Sequence, residues 1–405
     1  MKTERLFTRD FTLLALGQAF SLLGNYALKI ALSMYVLELT GSAGVFAGML
    51  AAAMVPTIVL SPFGGILADR CDRRTLMAAL DALSGATVLA AVPLVGRPGE
   101  LCAMGALLIA LSVLGAFESP TVQACVPQLL SGDNILRGNS IVNQISALAG
   151  LAAPFLGSLM YAALGLESVL LAAGSCFLVT AALECFIRLD RPRERERLGL
   201  LSAVRSDFRD SALFLRREEP GVLRTLLLAA LASLFAAGTA VVGFPHLVRN
   251  VLELSAEHYG AAESAMDAAA VLGAVAAGAL GPRLRRHELL IACFGFAMLG
   301  AGAAFLTPLG IFARYLTLTA SFCAGQLVCT MFSVLALSDI QQRTPETLTG
   351  KVMALTMTLS MCAQPLGQVV YGELFDLAGT SAQWVLLPTG AAVSALGIAA
   401  ARRRE

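Results

Sequence analysis

The chain is a series of long apolar runs separated by short segments that carry most of its charges. A helix needs roughly 20 apolar residues to cross the hydrocarbon core of a bilayer, and the runs reach that length. Twelve runs can be marked, and their even number predicts that both termini lie on one side of a membrane. They occupy residues 11–38, 44–68, 75–95, 101–126, 139–162, 167–187, 221–245, 259–281, 288–306, 311–337, 351–376 and 382–401.

The composition favours a membrane protein and excludes several other classes. Of the 405 residues, 57% are hydrophobic and 14% are charged, and the mean hydropathy is +0.75, which does not suit a water-soluble surface. The net charge of +1 gives no reason to expect nucleic acid as a partner. The nine cysteines are odd in number and all but Cys71 lie in apolar runs, so we expect neither disulfides nor a metal site. The sequence has no phosphate-binding glycine loop, nucleophile elbow or zinc spacing, so we expect no enzyme and no cofactor.

The basic residues predict the orientation in the membrane. Of the 29 lysines and arginines, 25 lie in segments on the side of the termini, and Arg97 and Arg249 lie on the other side. Because cytoplasmic loops carry an excess of basic residues, we predict that both termini are cytoplasmic. The 26 arginines against 3 lysines, together with the many alanines, indicate a GC-rich bacterial genome. We therefore expect a multi-pass protein of the bacterial cytoplasmic (inner) membrane.

The longest connection divides the spans six and six. It contains nine arginines and seven acidic residues, and it predicts an N-terminal six-helix bundle at 1–187, a cytoplasmic linker at 188–220 and a C-terminal six-helix bundle at 221–405. Apolar residues recur within the linker at helical spacing, which predicts a helix lying on the cytoplasmic membrane surface. These residues are Leu201, Val204, Phe208, Ala212 and Leu215. A solvated charged loop is the alternative.

Three landmarks of the first bundle recur in the second at offsets of 211 to 213 residues. They are segment 65–74 with 278–286, segment 136–139 with 348–351, and Pro154 with Pro365. Because many transporters consist of related halves, the shared offset predicts a duplication and two pseudo-symmetric bundles.

The segment between spans two and three, residues 64–74, carries a candidate gate motif. Asp69 is an acid among arginines, and we expect its carboxylate to face the positive amino-terminal end of span eleven, near Lys351. Such a contact would hold the two halves together on the cytoplasmic side. The alternative is that the arginines only fix the topology. The candidate gate residues are Gly65, Asp69, Arg70, Asp72, Arg73 and Arg74.

Twelve spans, the six-plus-six division and this loop resemble the major facilitator superfamily over essentially the whole chain. Shorter motifs are similar to the drug–proton antiporter branch that contains macrolide efflux proteins. These motifs lie at 16–18, 23–24, 39–43, 119–120, 127–129, 139–140 and 153–157. The resemblance implies an all-α major facilitator fold, alternating access by a rocker-switch movement, and a substrate cavity lined by spans one, four, seven and ten. It also implies helix bends and gate turns at Pro154, Gly157, Pro365 and Gly367.

Ionisable groups inside the spans are functional candidates because they are costly there. Glu118 is our preferred proton carrier, since span four offers no arginine and a desolvated carboxyl group can exchange a proton near neutral pH. A purely structural glutamate is the alternative. Lys29 either extends toward the membrane interface or pairs with Asp267 or Glu263 of span eight. Asp267 and Lys29 are therefore further candidates for proton coupling.

Two other acids lie in spans three and six. These are Asp81 and Glu184, and because those spans are peripheral in the resembling fold, we assign both residues to helix packing or to the cytoplasmic interface.

The resulting functional hypothesis is proton-coupled efflux of amphiphilic, drug-like or macrolide-like small molecules. Cavity walls of Ala, Leu, Gly, Phe and Met with few charges suit apolar bodies. The polar cavity candidates are Asn25, Lys29, Glu118 and Gln326. Uptake of a small metabolite and a non-transporting ligand sensor are the alternatives. We expect the substrate, protons and membrane lipids as partners, and a monomeric protein.

Overall fold

The computed structural model describes residues 6–131, 133–189, 215–216, 219–281, 284, 286–381 and 383–402. Over these residues the chain is almost entirely helical and contains no strand. Most of the predicted linker lies outside them, including Leu201, Val204, Phe208 and Ala212. The interfacial helix and the domain boundaries at 188 and 220 therefore stay predictions.

The described residues form twelve helices, which we number in chain order. Helix Asp133–Glu184 is interrupted at Gly165, whose φ of 78° and ψ of 177° are not helical, so we treat it as α5 (133–164) and α6 (166–184). The others are α1 Arg9–Thr40, α2 Ala43–Arg70, α3 Arg73–Ala91, α4 Glu100–Leu129, α7 Pro220–Ala236, α8 Ala256–Leu280, α9 Leu289–Ala303, α10 Ile311–Arg343, α11 Glu346–Ala378 and α12 Gln383–Arg402.

The predicted twelve-helix, all-α fold is confirmed. By length and hydropathy, nine helical segments of the described chain can cross a membrane, one of which, Arg137–Glu184, contains most of α5 and all of α6. Helix Leu289–Ala303 is a shorter apolar helix. The seventh span extends beyond its predicted end at residue 245, since α7 continues through the π-helical turns Ala237–Gly243 and Leu247–Val251. These turns flank Pro245, which has no N–H to donate to the regular helical pattern.

The chain divides into two compact units. Unit 1 comprises the described residues of Met1–Thr40, Ala52–Glu196 and Ser255–Ser264, and unit 2 those of Gly41–Ala51, Arg197–Leu254 and Ala265–Glu405. In unit 1, α1 packs along α5 and α6, and α3 packs against α4 and α6. In unit 2, α7 packs against α10 and α11, and α9 packs against α10 and α12.

The same close packing of two helices occurs once in each unit. A Cβ atom added to Gly157 of α5 would lie 2.7 Å from the Cα atom of Ala27 on α1. A Cβ atom added to Gly367 of α11 would overlap the carbonyl oxygen of Leu234 on α7. Glycine thus lets the backbones of the first and fifth helices of each six-helix bundle approach closely, which agrees with pseudo-symmetry. Whether these positions act as gate turns stays a prediction.

Candidate functional site

Polar side chains from four helices of unit 1 meet at one place. The Ser21 hydroxyl on α1 lies 3.2 Å from Asp81 Oδ1 on α3 and 3.3 Å from Glu118 Oε1 on α4. The carboxyl group of Glu184, the last residue of α6, lies beside that of Asp81. We call these four residues the carboxyl cluster.

The carboxyl cluster is withdrawn from the protein surface to different degrees. Asp81 and Glu184 are 0% exposed and Ser21 is 4% exposed, whereas Glu118 is half-buried. Of the residues that the structure describes, no lysine or arginine forms an ion pair with any of the three carboxyl groups. Nor does any group of three His, Cys, Asp or Glu within the described chain have the arrangement of a metal site.

The hydrogen bonds that the carboxyl cluster can form depend on which of its carboxyl groups are protonated. Asp81 Oδ2 and both carboxyl oxygens of Glu184 have no donor among the described residues. Because an ionised carboxylate only accepts hydrogen bonds, the contact between Asp81 and Glu184 is a hydrogen bond only when one of them carries a proton. The Ser21 hydroxyl likewise donates to one acceptor at a time, so it joins Asp81 and Glu118 fully only when one of those is protonated.

An apolar layer closes one side of the carboxyl cluster. The layer consists of the buried residues Phe11, Leu14, Met77, Val122, Cys125, Val126, Leu130 and Ile187. Leu14 and Met77 precede Ser21 and Asp81 on their helices, whereas Val122 and Ile187 follow Glu118 and Glu184. Successive membrane helices run in opposite directions, so all four relationships place the layer on the same side. With orientation taken from the basic residues, that is the cytoplasmic side.

The other predicted coupling and cavity residues do not join this cluster. Asn25 and Lys29 are exposed on α1, one and two turns beyond Ser21. Lys29 has no ion pair with the described residues of its own unit, and the backbone carbonyl of Lys29 accepts a hydrogen bond from Ser33 at 2.7 Å. Asp267 and Gln326 are half-buried in unit 2. Pairing between Lys29 and Asp267 stays a prediction.

Part of the predicted gate motif has roles within unit 1. Asp72 caps α3, because its Oδ2 atom accepts a hydrogen bond from the Thr75 amide at 3.3 Å. Arg73 ties α3 to α4 by donating to the Ala124 carbonyl at 2.8 Å, and Arg74 is exposed. The side chains of Gly65, Asp69 and Arg70 lie outside the described residues, so the contact expected of Asp69 stays a prediction.

A second capping carboxylate lies at the opposite end of α2. Asp376 of α11 accepts hydrogen bonds from the backbone amides of Ala43 at 2.6 Å and Gly44 at 2.9 Å, and from the Ser42 hydroxyl at 2.5 Å. Nearby, Asn250 Nδ2 donates to the Gly41 carbonyl at 2.8 Å. All of these residues belong to unit 2. The sequence did not predict this contact, although Asp376 lies at the predicted end of span eleven.

Unit 2 contains a cavity of about 550 Å³ between α8 and α10. Its polar lining includes His287, Ser338, Asp339 and Gln342. None of the cavity residues predicted from the sequence lines it.

Comparison with known proteins identifies similar sequences and folds. Residues 14–368 match the family model described as Major Facilitator Superfamily. Macrolide efflux protein A of Streptococcus pyogenes is 22% identical over 92% of this chain and 90% of that protein. The multidrug efflux pump Tap of Mycolicibacterium fortuitum is 27% identical over 90% of this chain and 88% of that protein.

Two solved structures show the same fold. A bacterial homologue of the iron transporter ferroportin has a TM-score of 0.72 at 18% identity, covering 97% of this chain and 98% of that one. The nucleoside transporter NupG has a TM-score of 0.71 at 14% identity, covering 97% of this chain and 98% of that one. At these identities the likeness concerns the fold alone.

Proposed function

The chain belongs to the Major Facilitator Superfamily, and from that premise we propose that it is a secondary transporter that exports amphiphilic small molecules in exchange for protons. Two relatives that align over most of the chain are named as efflux proteins, one for macrolides and one for multiple drugs. Their names favour export, and at identities of 22% and 27% the substrate is left to experiment.

The observation that carries the proposal is the position of Glu118. It is a half-buried acid within a membrane span, it contacts the Ser21 hydroxyl, and it has no cationic partner among the described residues. Burying an ionisable side chain within a membrane span costs free energy, so such a residue is a functional candidate by default. When protonated it is neutral and suits the apolar span, and when ionised it offers a negative charge to a substrate cation. Alternate occupation of Glu118 by a proton and by a substrate cation would produce exchange.

Several further features belong to the same proposal. The protein would lie in a bacterial cytoplasmic membrane with both termini in the cytoplasm, as the basic residues favour. It would act as a monomer surrounded by lipid. Asn25, Lys29 and Gln326 would contribute to substrate binding together with Glu118, and Asp267 would be a second coupling candidate.

The test uses purified protein in liposomes with the membrane potential clamped by valinomycin and equal potassium concentrations. Ethidium is the main probe, because a permanent cation does not become trapped by a pH gradient. Erythromycin is the second probe, corrected by protein-free vesicles. Antiport predicts that ethidium accumulates when the lumen is acidic, whereas proton symport, the uptake alternative, predicts accumulation when the lumen is alkaline.

Glu118→Gln should abolish gradient-driven accumulation. Glu167→Gln is the control, because Glu167 is an exposed glutamate of the same unit, and it should transport as the native chain does. Native levels of accumulation in Glu118→Gln would show that Glu118 is structural. Failure of folded native protein to move either probe in either gradient would count against the proposal and favour the ligand sensor.

A further inference from the structure

We infer that Ser21 passes a proton between Glu118 and Asp81, so that the buried pair Asp81–Glu184 holds a proton used in the transport cycle. This inference rests on the proposed function, because it adds residues to the same proton pathway. Its physical basis is the chain of contacts from half-buried Glu118 through Ser21 to the fully buried pair.

The transfer needs no group other than those present. With Glu118 protonated, its O–H donates to Ser21 Oγ while the Ser21 O–H donates to ionised Asp81. The Glu118 proton moves to Ser21 Oγ as the Ser21 proton moves to Asp81 Oδ1, so one O–H bond breaks and one forms at serine. Glu118 becomes an anion, Asp81 becomes neutral, and the total charge is unchanged. Rotation of the serine hydroxyl then restores the starting arrangement.

The transferred proton can remain on the pair that Asp81 forms with Glu184. Both of its oxygens lack a donor among the described residues, as does Asp81 Oδ2. A proton on Asp81 or Glu184 converts their contact into a hydrogen bond and removes the repulsion between two buried carboxylates. The pair therefore holds a single proton more favourably than either carboxyl group would alone.

The surroundings leave Glu118 as the route into the pair. Of the other titratable groups near the pair, Cys125 of the apolar layer and Cys185 beside Glu184 are thiols. Arg73 and Asp72 are the charged groups that act on Cys125 from the start of α3, and the Arg73 guanidinium donates to the Ala124 carbonyl. On α1, Ser21 is joined to the pair, and it is the side chain through which the half-buried Glu118 reaches Asp81. The buried apolar layer lies on the cytoplasmic side of the pair.

The relay separates substrate binding from proton release. Glu118 can ionise and attract a cationic substrate while its former proton stays inside the protein on Asp81 or Glu184. Removing Ser21 Oγ should therefore impair coupling more than it impairs substrate binding.

The experiment compares Ser21→Ala with Ser21→Thr, which keeps a hydroxyl. Ser33→Ala is the matched control, since Ser33 is a buried serine of the same helix that donates to its own backbone. In proteoliposomes, ethidium exchange without a pH gradient measures binding and conformational change. A trapped pH dye measures the protons moved per ethidium.

For Ser21→Ala we expect exchange within about twofold of the native chain and proton-driven transport reduced about a hundredfold or more, as for loss of a positioned proton-transfer group. Ser21→Thr and Ser33→Ala should retain coupling. A native ratio of protons to ethidium in Ser21→Ala would overturn the relay. Equal loss of exchange and coupling would also overturn it, because it would indicate a packing role.

Infrared spectroscopy tests the stored proton without any transport. At neutral pH the native chain should show a protonated carboxyl band that is lost or shifted in Asp81→Asn and in Glu184→Gln. Absence of any change in both variants would overturn the inference even if Glu118 couples transport. Presence of the band in a protein that moves no probe would leave the stored proton standing and reject the proposed function alone.

Discussion

The Asp376 carboxylate of α11 accepts a hydrogen bond from the backbone amide of Ala43, at the start of α2, with a distance of 2.6 Å. The first amides of a helix have no acceptor within the helix, and the helix dipole favours a negative charge at that end. Asp376 satisfies two of these amides at once, since it also accepts from Gly44. A side chain distant in sequence thus supplies the cap for α2.

Replacing Asp376 with alanine should destabilise the protein. Loss of a helix cap costs about 0.5–2 kcal/mol of unfolding free energy, and the lost charge acts in the same direction. The measurement is the thermal unfolding midpoint in detergent. Glu373→Ala is the control, because Glu373 is also exposed one turn earlier on α11 and its carboxylate also lies near Gly44, but it accepts no hydrogen bond from the described residues. An equal midpoint for the two variants would contradict the assigned cap.

Asp69→Asn should slow transport without unfolding the protein. Asp69 is predicted to cap α11 from the end of α2, which is the reciprocal of the contact between Asp376 and α2. A charge at a helix terminus contributes about 0.3–1 kcal/mol, so the equilibrium between conformations should shift by a few-fold. Ethidium exchange rates in proteoliposomes would detect the shift. Asp72→Ala, which removes the cap of α3, should lower stability by about 0.5–2 kcal/mol and change exchange less than Asp69→Asn does. A larger effect of Asp72→Ala on exchange would argue against the latch.

The sequence was sufficient to predict the twelve helices, because membrane spans require long apolar runs whose limits are set by charges. It predicted Glu118 as a candidate but missed its neighbours Asp81 and Glu184. A usable signal existed, since all three acids lie in the half of their spans nearer the predicted cytoplasmic side. To predict that the three acids meet, one must know how α1, α3, α4 and α6 are arranged side by side. Hydropathy along the chain carries no information about which helices are adjacent.

Gly157→Ala should destabilise unit 1. The added methyl group would meet the backbone of Ala27, including its Cα atom at 2.7 Å, and backbone cannot move aside as a flexible side chain can. Overpacking of this kind costs about 1–3 kcal/mol. Gly115→Ala is the control, because a Cβ atom there has no heavy atom within 4 Å. Thermal unfolding should show a lower midpoint for Gly157→Ala and an unchanged or higher one for Gly115→Ala; equal midpoints would reject the close approach of α1 and α5.

Asp81→Asn should stabilise the protein while impairing proton coupling. The asparagine amide can donate to Glu184, whose oxygens have no donor among the described residues. A hydrogen bond to a charged group is worth about 1.5–3 kcal/mol. The amide supplies it permanently, whereas in the native chain it exists only while the pair holds a proton, and one buried ionisable group is also removed. Asp81→Ala should have the opposite effect on the unfolding midpoint, since it leaves a void and supplies no donor. If Asp81 serves packing alone, Asp81→Asn should keep the native ratio of protons to ethidium. A higher midpoint combined with lost coupling would show that the carboxyl group is kept for proton transfer at a cost in stability.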